Sequence, residues 1–145
     1  MNGVTVRMAQ LEDLPSVNFL LQSAKLPMLG VAEHFETFLV ALGDNGIVGT
    51  IGLEVYGSTA LLRSAVVAEQ ERGRGIGQLL YDELLSKARH LQIRRLILLT
   101  NTAEEYFRRK GFRTIEPRTV TGPITTSAEF SGACPAHAAC MELLL

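Results

Sequence analysis

The chain has 145 residues, with 14 Lys and Arg against 15 Asp and Glu, giving a formal net charge of −1. That balance supplies no global electrostatic attraction to nucleic acid or an anionic membrane, and 47% apolar with 20% charged residues excludes a disordered chain. The length fits a single domain, residues 1–145. No apolar run nears the roughly 20 residues of a membrane helix. Met1-Asn2-Gly3-Val4 lacks the basic and apolar regions of a signal peptide, so the expected compartment is the cytoplasm. Two cysteines, Cys134 and Cys140, are too few for a disulfide framework.

The apolar period changes repeatedly along the chain, as in a mixed α and β fold. Val4 to Met8 alternates and reads as a first strand. Leu14, Val17, Leu20, Leu21 and Ala24 recur at helical spacing, with Glu12, Asp13 and Pro15 at the start, and the helix ends before Pro27. A short second helix is expected around Val31 to Phe35. Thr37 to Leu42, the Asn45-Gly46 hairpin signal, Ile47 to Tyr56 and Thr59 to Val67 give an antiparallel meander. Gly49 and Gly52 predict a bulge or a close backbone approach in its middle strand.

Arg72-Gly73-Arg74-Gly75-Ile76-Gly77 then opens a helix whose stripe is Ile76, Leu79, Leu80, Leu84, Ala88 and Leu91. Leu96 to Thr100 is a fifth strand, placed after a helix and so a candidate for parallel pairing with the fourth. Residues 102–111 carry helix punctuation: a Thr102/Glu105 capping box, a basic last turn, and Gly111 as the stop. Phe112 to Ile115 and Ala138 to Leu145 read as closing strands, while Pro117 to Ser127 has no clear period.

Glycines let backbone approach a ligand, and the first turn of a helix offers N–H groups and a positive dipole end. With Arg72 and Arg74 the loop is an anion site suited to a pyrophosphate; the alternative is a plain strand-to-helix turn. No lysine or hydroxyl follows Gly77, which excludes a Walker loop. Gly73, Gly75 and Gly77 alternate behind an antiparallel meander, which disfavours a dinucleotide fold.

Val66 to Gly77 resembles the acetyl-CoA motif of the GNAT acyltransferase superfamily, R/Q-x-x-G-x-G/A, met by Arg72, Gly75 and Gly77. The later segment Ala103 … Tyr106-Phe107-Arg108-Arg109-Lys110-Gly111-Phe112 is similar too. A narrower resemblance joins Gly52 to Gly57, Leu61 to Ser64, Leu98 to Glu104, Cys134-Pro135 and Cys140-Met141 to small GNAT proteins encoded in arsenic-resistance operons. The resemblance implies an α/β (α+β) fold: a mixed, largely antiparallel seven-stranded sheet, splayed between strands four and five and flanked by about four helices. It implies acetyl-CoA in the splay, its pyrophosphate on Arg72, Gly73, Arg74, Gly75, Ile76 and Gly77. Pantetheine would run beside Val66 and Val67, with Thr100, Asn101 and Phe107 completing the cofactor site. The implied reaction is N-acetylation of a small amino-acid-like amine, including organoarsenicals, by direct attack in a ternary complex. A protein or peptide acceptor, or a catalytically weak acyl-CoA sensor, is the alternative. Relatives often form dimers, so a homodimer is compatible with it.

Acetyl transfer needs a base for the amine, a donor for the carbonyl oxygen and a leaving thiolate. A backbone N–H near Val67 is the implied oxyanion donor. Glu54 is the candidate base, directly or through water, with a pKa raised by partial burial; the alternative is a solvent-facing strand residue. Arg63, with Ser64, is the candidate grip on an acidic group of the substrate; alternatively Arg63 is a rim residue paired with Glu54. Many relatives place the acid tyrosine where this chain has Phe107, and Tyr106 stands one step earlier, so Tyr106 or unassisted thiolate release serves that role. Cys134, His137 and Cys140 are too few and too loosely spaced for a metal signature, and no metal is expected. His34 and His90 read as a loop residue and a helix-end charge.

Overall fold

A computed structural model describes residues 3–133 and 138–145. Seven strands form one sheet: β1 (Thr5–Met8), β2 (Phe38–Gly43), β3 (Gly46–Tyr56), β4 (Thr59–Val67), β5 (Arg95–Thr100), β6 (Arg113–Ile115) and β7 (Ala139–Leu144). Their order is β1-β2-β3-β4-β5-β7-β6. The β4–β5 pair is parallel, as its intervening helix requires, and the remaining pairs are antiparallel. The helices are α1 (Leu14–Ser23), α2 (Ile76–His90) and α3 (Glu104–Arg109). In place of a fourth α-helix the chain makes a 3-10 segment at Ala32–Thr37, so the helix expected at Val31 to Phe35 is displaced and more tightly wound.

Strand alternation assigns the two faces. Leu39, Ala41, Ile51, Leu53, Ala60, Leu62, Leu96 and Leu98 pack under α2 and with Phe107 and Phe112. On the other face Phe38 and Val40 meet Val17 and Leu21 of α1, and Leu61 and Ile97 meet Val120 and Ile124. Central strands covered on both faces explain the nearly unbroken apolar runs in the sequence. The unreadable stretch consists of 3-10 turns, Pro117–Thr119 and Pro123–Thr126, followed by a π-helical turn at Glu129–Ala133.

The Gly49 and Gly52 expectation holds in both forms. Ala41 faces Gly49 but Leu42 faces Ile47, which leaves Val48 as an extra residue beside Gly49. At Gly52 a Cβ would lie 2.5 Å from Phe38 Cδ1 and Cζ, so the ring is laid directly on the glycine backbone. The capping box is a correction. Ala103 is the N-cap of α3, and the Thr100 hydroxyl accepts from the Ala103 N–H at 2.9 Å. Glu104 and Glu105 instead pair with Arg108, both at 3.0 Å. The stop at Gly111 is as read, with the Phe112 N–H returning to the Phe107 carbonyl at 3.1 Å.

The sheet opens where the sequence analysis expects. Pairing of β4 with β5 covers Thr59–Arg95, Ala60–Leu96 and Leu61–Ile97 and then ceases, while β5 stays paired with β7 through Thr100. β4 itself kinks at this point. Gly52 faces Arg63 and Thr50 faces Val66, so β4 carries one residue more than β3, and Ser64 takes φ +60°.

Candidate active site

The splay leads into a cavity of about 820 Å³. Its walls come from Ala65, Val66 and Val67 of β4, Thr50 and Ile51 of β3, and Leu26 behind α1. Arg72, Gly73, Gly75, Ile76 and Gly77 close one end, and Ala103, Tyr106 and Phe107 form the α3 side. Of the expected cofactor residues, Val66, Val67, Arg72, Gly73, Gly75, Ile76, Gly77 and Phe107 therefore line one cavity.

The loop explains its own shape. Gly75 is the N-cap of α2 in left-handed conformation (φ +80°), and Gly73 has φ +82°, values that side chains disfavour. The turn aims the first N–H groups of a 15-residue helix at the cavity, where they have no intrahelical acceptor. Arg72 is fixed by its Nε–H donating to the Val67 carbonyl at 3.0 Å. Arg74 is a correction. It pairs with Glu71 and borders a separate hollow of about 370 Å³ with Asp44 and Val48. Glu69 and Glu71 also line the main cavity, so the loop has no surplus of side-chain positive charge; its attraction for an anion comes from backbone N–H groups and the helix dipole.

Thr100 and Asn101 are corrections as well. The Thr100 hydroxyl accepts from the Ala103 N–H, Asn101 is exposed, and neither residue lines the cavity; Thr102 and Ala103 do. On α3 both aromatic residues reach the wall. Phe107 is buried edge-on against Phe112 at 5.5 Å, and Tyr106 is 39% exposed. The Tyr106 hydroxyl lies 3.9 Å from where a Cβ on Gly77 would sit, beside the start of α2. Burial and the nearby Asp82 push its phenol up, which keeps it a proton donor. Tyr81, absent from the sequence expectations, is also in the wall, and the Lys110 ammonium lies over both tyrosine rings at 5.2 and 5.1 Å.

Behind the β4 kink sits a buried charged cluster. Arg63 Nη1 donates to Glu54 Oε2 at 2.6 Å, Nη2 to the Pro27 carbonyl at 3.0 Å, and Nε to Ser64 Oγ at 3.0 Å. Glu129 Oε2 lies 3.4 Å from the same Nε, and the Tyr56 hydroxyl donates to Glu54 Oε1 at 2.6 Å. The Arg63 and Glu54 side chains are both 0% exposed. Gly30 seats the covering loop, since a Cβ there would come within 2.9 Å of Arg63 Nη1.

These contacts revise three expectations. Glu54 is neither solvent-facing nor raised in pKa. Burial alone would push it up, but hydrogen bonds from Tyr56, Arg63 and Ser127 outweigh burial and hold it below the ordinary glutamate range. Arg63 pairs with Glu54 as one alternative foresaw, but in the interior rather than at a rim, and its N–H groups are engaged within the protein instead of being held out to a substrate acid. Ser64 is buried, and its hydroxyl serves Arg63. Tyr56 is legible in hindsight, because residues i and i+2 of a strand share a face. Ser127 and Glu129 come from the aperiodic segment, and no pattern flags them.

His34 is not a free loop residue: it lies on the 3-10 segment with Nε2 3.8 Å from Glu54 Oε1. His90 ends α2, as expected. Cys134 and His137 lie outside the described residues. Cys140 is buried, and burial pushes its thiol up to about 11.

The comparisons with known proteins agree with this geometry. The acetyltransferase (GNAT) domain family matches residues 34–114. An amino-acid acetyltransferase of Mycobacterium tuberculosis is 30% identical over 129 residues, covering 82% of this chain and 74% of that protein. The M. tuberculosis protein Rv2747, crystallised with CoA and NLQ, superposes with a TM-score of 0.81 at 28% identity, covering 97% and 99% of the two chains. N-acetylglutamate synthase of Neisseria gonorrhoeae, crystallised with CoA and L-arginine, shares the fold with a TM-score of 0.82 at 20% identity. It covers all of this chain, which spans 34% of the synthase's length. A cleft in a splayed mixed sheet, a glycine-led helix start at its end, and a family match over this core converge: the chain belongs to the GNAT family of acetyl-CoA-dependent N-acetyltransferases.

Proposed function

We propose that the chain transfers acetyl from acetyl-CoA to the amine of a small amino-acid-like acceptor, by direct attack in a ternary complex. The observation that carries the reading is that the cavity wall and the buried charged cluster meet at the β4 kink. Leu26 and Ala65 line the CoA-sized cavity, and their chain neighbours Pro27 and Ser64 hydrogen-bond Arg63 in the buried cluster. The acceptor enters from the cluster side, against the loop that carries Pro27 and Gly30, and meets the thioester at the β4 kink. The pyrophosphate rests on the N–H groups from Gly73 to Gly77, and pantetheine runs along Val66 and Val67. A β4 N–H near Val67 polarises the carbonyl. Tyr106 donates to the leaving thiolate. Glu54 and Arg63 act as an ionised, fixed unit that shapes the acceptor compartment.

The amino-acid acceptor class is supported by the relative of that activity at 30% identity. Arsenical amino acids enter as members of the same class, by resemblance in the Gly52–Gly57 and Leu61–Ser64 segments. The test is a thiol-release assay with acetyl-CoA and a panel of L-amino acids, aminophosphonates, arsenical amino acids and a short peptide. Amine-dependent release with an amino-acid-like member is expected. Tight CoA binding with no amine-dependent release would refute the reading, and release confined to the peptide would move the acceptor to protein N-termini.

A further inference from the structure

We infer that His34 takes the proton from the acceptor's ammonium, with Glu54 as its buried positioning partner. The inference rests on the acetyl-transfer reading above and names the base within it. The base must be a group that an acceptor can touch. Glu54 and Arg63 are fully enclosed, and both Glu54 oxygens already accept hydrogen bonds, from Tyr56 and Arg63. Ser64 and Ser127 are buried hydroxyls. Tyr56 donates to Glu54, and burial and that carboxylate push its phenol up to about 12, so it is no base near neutrality. Among the described members of the cluster, His34 alone is an imidazole that reaches solvent, its side chain 29% exposed.

The placement of His34 is specific. The Thr37 hydroxyl donates to its carbonyl at 3.0 Å and to the Leu53 carbonyl at 2.5 Å, tying the 3-10 segment to β3 beside Glu54. Its ring tilts against Tyr56, with centroids 5.9 Å apart, and Nε2 faces Glu54 Oε1 at 3.8 Å. The charged and titratable groups around it are Glu54 and Tyr56 from β3, Arg63 of β4 behind Glu54, Glu129 beyond Arg63, and Glu33 and Glu36 on its own segment. An ionised carboxylate fixed behind an imidazole orients it and stabilises the imidazolium it becomes.

The step balances as follows. The acceptor R–NH3⁺ gives one proton to neutral His34, and its N–H bond breaks. The free amine attacks the thioester carbon, a C–N bond forms and the C–S bond breaks. Tyr106 protonates the departing thiolate and is restored by the second nitrogen proton, giving CoA thiol and the amide, and His34 then releases its proton to water.

The experiment measures kcat/KM against pH with acetyl-CoA and the fastest acceptor among L-glutamate, L-methionine and 2-aminoethylphosphonate. Wild type is expected to show an acid limb. H34Q loses that limb and about 10²–10⁴-fold in kcat, with the KM for acetyl-CoA unchanged, and added imidazole restores turnover to H34A. Three results overturn the inference: H34Q with wild-type kcat and acid limb, E54Q losing the limb while H34Q keeps it, or H34A inactive and not rescued by imidazole although it binds CoA normally. A wild type that releases no thiol with any of these amines overturns the acetyl-transfer reading itself, a result distinguishable from an active wild type matched by H34Q.

Discussion

Replacing Arg63 with methionine removes one side of an ion pair that is shut off from solvent. Truncating one partner of a buried pair costs about 3–5 kcal/mol, because the other charge stays behind without compensation. Here three donated hydrogen bonds go with it: to Glu54, Ser64 and the Pro27 carbonyl. Glu54 keeps its bonds from Tyr56 and Ser127 but loses the cation that opposes its desolvation. A domain of this kind has about 5–15 kcal/mol in total, so R63M is expected to lose a large fraction of its stability in urea unfolding at pH 8. The pH dependence has a definite sign. In wild type the carboxyl is held below its unfolded value, so this group contributes stability above the ordinary glutamate range and loses it as pH falls through the lower folded value. In R63M only the Tyr56 and Ser127 bonds oppose burial, so the folded value rises above that of wild type and the group contributes less stability when ionised. The R63M deficit therefore shrinks as pH falls through the variant's folded value toward the lower wild-type one. Replacing both partners by apolar residues is often close to neutral, so E54M/R63M is expected to unfold at higher urea than R63M. An R63M deficit below about 1 kcal/mol, or a double variant whose loss equals the sum of the singles, would refute the claim that this pair is desolvated and coupled.

Three shorter tests follow. G52A puts a methyl group into the buried Phe38 ring, an overpacking expected to cost about 1–3 kcal/mol in urea unfolding; an unchanged midpoint would contradict the close contact. Glu142 is held below the ordinary range despite burial by Arg113 and Arg95, so it contributes stability above roughly pH 4.3 that is lost as pH falls further. E142Q should accordingly be less stable at pH 7 and show a shallower acid decline, and a parallel decline would count against it. Y106F should lower kcat about tenfold, less than general acids usually supply because a thiolate leaves readily; unchanged kcat would assign thiolate release to solvent.

The central strands β2 to β5 were legible because both their faces are buried and their residues alternate between two distinct cores. The α2 start was legible because glycine tolerates the left-handed cap that Gly75 adopts. The kink in β4 was not, since Ser64 holds φ +60° without being glycine, and nothing local in its sequence marks it. Its cause lies across the sheet, in the surplus residue of β4 against β3 and in the Arg63 bond to Ser64 Oγ. Arg74 misled for a related reason. A basic residue in a glycine loop reads as a ligand group, but Glu71, three residues earlier, is on the same turn and takes it first. The partners of Arg63 divide in the same way. Glu54 was within reach of register arithmetic on an antiparallel hairpin, whereas Glu129 and the Glu54 donor Ser127 arrive from a segment whose path only the packed structure defines.

The Arg63–Ser64 contact also joins the two halves of the site. A non-glycine residue in left-handed conformation costs roughly 1–2 kcal/mol and persists when its surroundings fix it. Here the fixing element is the guanidinium next in the chain, itself pinned by Glu54 on β3 and by the Pro27 carbonyl on the covering loop. The kink starts at Ser64, three residues past Leu61 of the last β4–β5 pair, and turns Ala65 to Val67 into the cavity wall. The ion pair thus sits behind the kink and sets the backbone that continues into the cavity wall. Loss of the pair is expected to perturb acetyl-CoA binding as well as acceptor turnover, although neither Glu54 nor Arg63 lines the cavity. An R63M protein that remains folded and binds CoA with wild-type affinity would separate the two compartments and show that the kink is held by the sheet alone.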